Sequence, residues 1–278
     1  MERNKADMCM MMMIHIDGVE IQKLFAHQPR QYHGGARVCV ATRARSHFAP
    51  VLIYMCVLCM YVCTYAPPFS HMLLQLRVVF RLPKITPENL LLVDERGNVL
   101  KGDGAPDSTA FWIHSRIHKA RPEDARCILH THMPWSTALC CLENGRLEMC
   151  HQNCLRFYED ISYDPEFNGL VLDESEGDRL CKMMGDKKVL FHANHGVIVV
   201  GKSVAEAFDD LYYLERAAEV VVKAMSTGRP LKMIDTETCE EFQRQMAIEG
   251  NARWANLHFD ALKRKLKRGI EGQMPFTF

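Results

Sequence analysis

Neither sign of charge is in excess in this chain: Lys and Arg number 34, and so do Asp and Glu. Nucleic acid and anionic membranes are bound through a clustered basic excess, so neither is supported as a partner. The densest basic stretch, "LKRKLKRG" at 262–269, reads as the solvated face of a helix. Phosphate loops are lacking as well. No G-x-G-x-x-G follows a strand pattern, no G-x-x-x-x-G-K-[ST] occurs, and "GKS" at 201–203 has no upstream glycine of a P-loop. No secretory leader opens the sequence, and its 12 cysteines are scattered. A disulfide framework is therefore not expected, and a reduced, cytoplasmic protein is. Cys56 and Cys59 make one C-x-x-C, without the second pair that a structural zinc site needs. Long apolar runs are missing too. "VLIYMCVLCMYVCTY", 51–65, carries no charge but falls short of the roughly 20 residues of a spanning helix, so a buried strand or helix is preferred there.

What is present divides unevenly. Residues 1–81 are methionine-rich at the start ("MCMMMMIHID") and keep no sustained period, so they stay unassigned. From Pro83 the punctuation becomes regular. "ENLLLVDERGNVLKG" reads as two short strands around a turn at Gly97 and Asn98. Ser108 or Thr109 can cap a helix running to about Lys119, closed by Pro122. "ARCILHTH" is a strand, and Pro134 opens a helix through Glu143 with Gly145 past its end. "KKVLFHANHGVIVVG" reads as strand, tight turn at Asn194-His195-Gly196, strand. Ser203 and Glu206 then form a capping box. The helix behind it has an apolar stripe at Ala207, Leu211, Leu214, Ala218, Val221 and Met225, ending before Gly228 and Pro230. Strands interleaved with helices predict a layered α/β domain over 82–228 with a helical extension over 229–278.

Histidines carry the chemistry. His130 and His132 are two apart; on a helix they would diverge, but on a strand they share a face. His195, sixty-three positions after His132, sits at a turn whose neighbours Asn194 and Gly196 tolerate unusual backbone angles. Three histidines with one vacancy make a catalytic divalent-metal site, for zinc or another first-row ion. On spacing alone, two ordinary strand histidines account for the H-x-H at least as well. His114 and His118 form a competing i, i+4 pair, but Ser115 stands where a metalloprotease helix has its glutamate. That pair is expected to be packing or solvent-facing.

The stretch "ITPENLLLVDERGNVLKGDGAPDSTAFWIHSRIHKARPEDARCILHTH", followed by "NHGVIVVG" and "LYYLERAAEVV", resembles the class II aldolase/adducin family from about Leu82 to Met225. "LHFDALKRKL" is similar to the C-terminal helix of its bacterial-type members. The resemblance implies a three-layer α/β/α fold around a central, largely antiparallel sheet. It implies a divalent ion, zinc foremost, on His130, His132 and His195, acting as a Lewis acid that chelates a keto sugar and stabilises the enediolate formed when a carbon–carbon bond breaks. A small-molecule hydroxy-carbonyl substrate and a homo-oligomer, usually a tetramer, go with it. Two features depart from the catalytic pattern. Ala110 stands where catalytic members carry an acidic acid/base residue, so no catalytic residue is assigned. The early Gly-Asn phosphate motif is also not found before Pro83. The alternative is an adducin-like protein without catalysis, partnered with actin and spectrin at the membrane skeleton. Adducins lack the metal histidines and carry a long lysine-rich tail, which this chain does not show before Phe278.

Overall fold

The computed structural model describes residues 61–65, 72–76 and 90–272. The Cys56/Cys59 pair, most of the 51–65 run and the methionine-rich start lie outside them. The described strands form one sheet. They are β1 (Tyr61–Tyr65), β2 (Met72–Leu76), β3 (Leu90–Asp94), β4 (Val99–Lys101), β5 (Cys127–Thr131), β6 (Ile161–Asp164), β7 (Val189–His192) and β8 (Gly196–Gly201). Their order across the sheet is β4-β3-β2-β1-β5-β8-β7-β6. Every pairing is antiparallel except β6 with β7, so the sheet is largely antiparallel, as the resemblance implies.

Side chains alternate between the two faces, and each face has its own apolar layer. On one, Ile128, Leu190, Ile198 and Val200 pack with Ile113 and Ile117 of α1 (Ser108–Ala120) and Leu180 and Met184 of α3 (Glu174–Met184). On the other, Cys127, Leu129, Val189, Phe191, Val197 and Val199 pack against α2 (Pro134–Cys140) and α4 (Val204–Met225). Ala255 and Phe259 of α6 (Asn251–Gly272) join that second layer, while α5 (Thr236–Glu249) buries only Cys239. The architecture is therefore α/β/α. A buried leucine at the centre, such as Leu180 or Leu190, contributes about 2 kcal/mol by leaving water.

Several local expectations need adjustment. The cap of α1 is Asp107, whose carboxylate accepts from the Thr109 backbone N–H and hydroxyl, because Ser108 and Thr109 are already inside the first turn. The helix opened by Pro134 ends at Cys140 rather than Glu143. Its last turn tightens into three-residue bonds, the Leu142 N–H donating to the Leu139 carbonyl at 3.2 Å, and Asn144 turns left-handed at φ 54° ahead of Gly145. The α4 stripe is buried from Ala207 to Val221, but Met225 is exposed because the helix runs past the core there. The Ser203–Glu206 capping box forms in both directions, Ser203 Oγ accepting from the Glu206 N–H and donating to its carboxylate. The hairpin turn also forms as expected, with Gly97 at φ 83°. Among the described residues, no helix is long and apolar enough to cross a membrane.

Candidate metal centre

Strand pairing brings the histidines together. Thr131 of β5 faces Val197 of β8, so the next residues outward, His132 and Gly196, are also opposite each other. Gly196 pairs on its other side with His192 of β7, and His192 pairs with Asp164 of β6. One row across the sheet end thus reads Asp164, His192, Gly196, His132, on the face covered by α1 and α3. The inner row beside it carries Ile198 and His130. Gly196 leaves a gap in the outer row. A Cβ there would lie 2.4 Å from the Thr131 carbonyl oxygen and 2.8 Å from His132 Cδ2. The side chain that closes this gap is His195, carried on the turn between β7 and β8.

That turn is held on three sides. Asn194 is left-handed at φ 56° and donates its N–H to the Cys140 carbonyl at 2.9 Å. Ala193 donates to the Asp164 carbonyl at 3.0 Å, and His195 to the His192 carbonyl at 3.2 Å. The chain after His132 is fixed as well. Met133, the cap of α2, offers no side-chain acceptor, and buried Glu215 of α4 takes over. It accepts from the N–H groups of Trp135 and Ser136 at 2.8 and 2.9 Å and from the Ser136 hydroxyl at 2.7 Å. A carboxylate suits the positive end of a helix. Nothing in the local sequence of α2 announces this contact across 79 positions.

In the result, the rings of His130 and His132 are 5.1 Å apart by centroid, His130 and His195 4.8 Å, and His132 and His195 4.7 Å. One donor atom from each lies within 4.8 Å of the other two. Three nitrogens on one tetrahedral ion with bonds of about 2.1 Å sit about 3.4 Å apart, so this is an open cradle. His130 Nδ1 is 3.0 Å from the Val197 carbonyl, which fixes its ring as an outer partner fixes a metal-ligating imidazole. His195 Nδ1 is buried with no hydrogen-bond partner among the described residues. Burial keeps all three rings neutral. His130 falls well below the ordinary histidine range, His132 is lowered, and His195 is pushed down to about 3, with the neighbouring imidazoles adding to the effect. Three neutral imidazoles, one with an orphaned buried nitrogen, are a donor set that a divalent cation fits.

The surroundings contain what the sequence did not single out. His192 is buried, and its Nδ1 lies 2.8 Å from Asp164 Oδ2. Arg179 of α3 grips the same carboxylate with two bonds, 2.9 and 2.7 Å, and Glu176 with its other edge. The ring of Phe167 lies 5.8 Å from His195 and 5.9 Å from His192 and is half exposed, forming a rim. The pairing His192–Asp164 could have been found only from strand register, since the two are 28 positions apart. His114 and His118 do not join the three-histidine cluster. Both are buried in α1, and His118 Nδ1 is 2.6 Å from the Ala125 carbonyl, a packing role. Ala110 is buried with Leu91, Val93 and Phe111, and Asp107 is spent as the cap. A cavity of about 320 Å³ lies at the same sheet end, lined by Cys140, Arg146, Tyr163, Phe191 and Asn194, and it includes none of the three histidines.

Residues 79–222 match the family model for the class II aldolase and adducin N-terminal domain. The chain belongs to this family. It is similar to a Caulobacter vibrioides protein assigned to class 2 aldolases, 32% identical over 192 residues, 68% of this chain and 73% of that protein. It is also similar to human beta-adducin, 32% identical over 185 residues, 65% of this chain but only 25% of the adducin. Among solved structures, an aldolase II superfamily protein from Pseudomonas syringae superposes with a TM-score of 0.71 at 27% identity, covering 80% of this chain and 91% of that one. The class II aldolase fold is the architecture described above.

Proposed function

We propose that this family member is a divalent-metal enzyme, a carbon–carbon lyase or epimerase acting on a small hydroxy-carbonyl compound. One observation carries the reading: three imidazoles, from β5, the residue after it and the β7–β8 turn, converge, and His195 keeps a buried ring nitrogen without a partner among the described residues. His130, His132 and His195 would hold the ion, and zinc suits an all-imidazole set best. A divalent ion bound there supplies a Lewis acid for a substrate carbonyl. The chain's own part is to orient His130 through Val197, to keep the rings unprotonated by burial, and to restrict water at the rim through Phe167. Ala110 can neither donate nor accept a proton, so any acid/base group lies elsewhere than in the usual position on α1. A cytoplasmic homo-oligomer, a tetramer by family resemblance, belongs to the same reading, and light scattering tests it.

Ala110 favours a second reading, an adducin-like scaffold without turnover, associated with the cytoskeleton. Elemental analysis of the purified chain separates the two. About one zinc, manganese or iron per chain, lost on His130→Ala/His132→Ala substitution, supports the enzyme. No metal after soaking in zinc leaves the scaffold.

A further inference from the structure

His192 stands beside the three-histidine cluster but outside it. Its ring centroid is 5.0 Å from that of His195, across the gap that Gly196 leaves in the outer row. Asp164, whose side chain is fully buried, accepts from Nδ1, and Arg179 holds Asp164 with two bonds of its own. A carboxylate on Nδ1 requires the hydrogen there, so Nε2 is the nitrogen left with a lone pair. Nε2 has no hydrogen-bond partner among the described residues. The ring is thus locked in tautomer and orientation by a buried network. Its ring neighbours are those of His195 and, at 5.9 Å, Phe167.

We infer that His192 contacts substrate, its Nε2 accepting a hydrogen bond from a hydroxyl of an oxygen-chelating ligand held at His130, His132 and His195. This rests on the metal-site reading and narrows its substrate class to compounds with a free hydroxyl beside the chelating oxygens. Simple chelators without that hydroxyl gain nothing from His192.

The test uses the full chain loaded with zinc and two probes that differ by one hydroxyl, glycolohydroxamate and acetohydroxamate, titrated by calorimetry with metal content measured in parallel. The wild type is expected to bind glycolohydroxamate about fivefold more tightly, the worth of one hydrogen bond. His192→Asn keeps an amide donor for Asp164 but has nothing at Nε2. It is expected to retain its metal and its acetohydroxamate affinity and to lose the preference. His192→Phe decides by the same criterion if the Asn variant does not fold. Equal binding of both probes to the zinc-loaded wild type, or a preference that survives in the variants, overturns the inference and leaves the metal reading standing. Metal lost from His192→Asn also overturns it, because His192 would then be one of the cation's holders. A wild type that binds no metal sinks both.

Discussion

His192 and His258 each place Nδ1 against a buried aspartate, at 2.8 Å from Asp164 and 2.7 Å from Asp209, and each aspartate also binds an arginine, Arg179 or Arg156. The bonds are alike and the surroundings are not. His258 lies on α6 among the rings of Phe208, Tyr212 and Tyr213, while Asp209 lies on α4. Arg156 reaches both Asp209 and Asp210 and covers the Tyr213 ring. This cluster fastens the C-terminal helix to the core. His192 lies at a sheet end beside an open cradle of imidazoles. The same triad of residue types fastens a helix in one place and stands beside three converging imidazoles in the other.

The comparison can be broken most forcefully at its carboxylates. Asp209→Ala leaves Arg156 short of a partner in a largely buried setting and is expected to cost about 3 kcal/mol in urea denaturation. Its metal content per folded chain should not change. Asp164→Ala should cost a similar amount but also weaken ligand binding at the histidines; equal effects of the two variants on binding would erase the distinction. Gly196→Ala comes next. The new Cβ meets the Thr131 carbonyl and the His132 ring, so about 2 kcal/mol of overpacking is expected together with reduced metal content by elemental analysis.

Acidification tests a third kind of histidine, one buried for packing. Burial pushes His118 down to about 3 from an ordinary 6.5, the Ala125 carbonyl opposing it only in part. Between those values the unfolded chain binds the extra proton, so stability falls as pH drops below 6.5. From pH 7 to pH 5, His118 alone is expected to remove about 2 kcal/mol, read as a lower urea midpoint. The smallest effect belongs to His258→Ala, about 1 kcal/mol for one hydrogen bond at a site about a quarter exposed, with fraying of α6 seen by hydrogen exchange. A large loss there would mean that the contact holds more than one helix.

Much of this arrangement is legible along the chain. The H-x-H at the end of "CILHTH" and the N-H-G turn mark the cluster because strand alternation and left-handed turns are local properties, written in neighbouring residues. The Ser203–Glu206 box and the α4 stripe are local in the same sense. What stayed hidden depends on register. Asp164 meets His192 and Gly196 makes room for His132 only once strands far apart in sequence are paired, and Glu215 caps α2 only once α4 packs against it. Asp107 does not stand out as the cap because Ser108 and Thr109 are equally good local candidates, and only the helix's first turn selects among the three.

By itself, then, the sequence determined most of the strands and helices between Leu90 and Met225, though not β6 or α3, and which three histidines could share an ion, since periodicity and turn chemistry act over a few residues. Tertiary structure alone decided that the three rings meet, that His114 and His118 are packing, and that a fourth histidine stands beside the site with its tautomer locked. Those outcomes follow from cross-strand pairing and burial, which no short stretch of chain encodes.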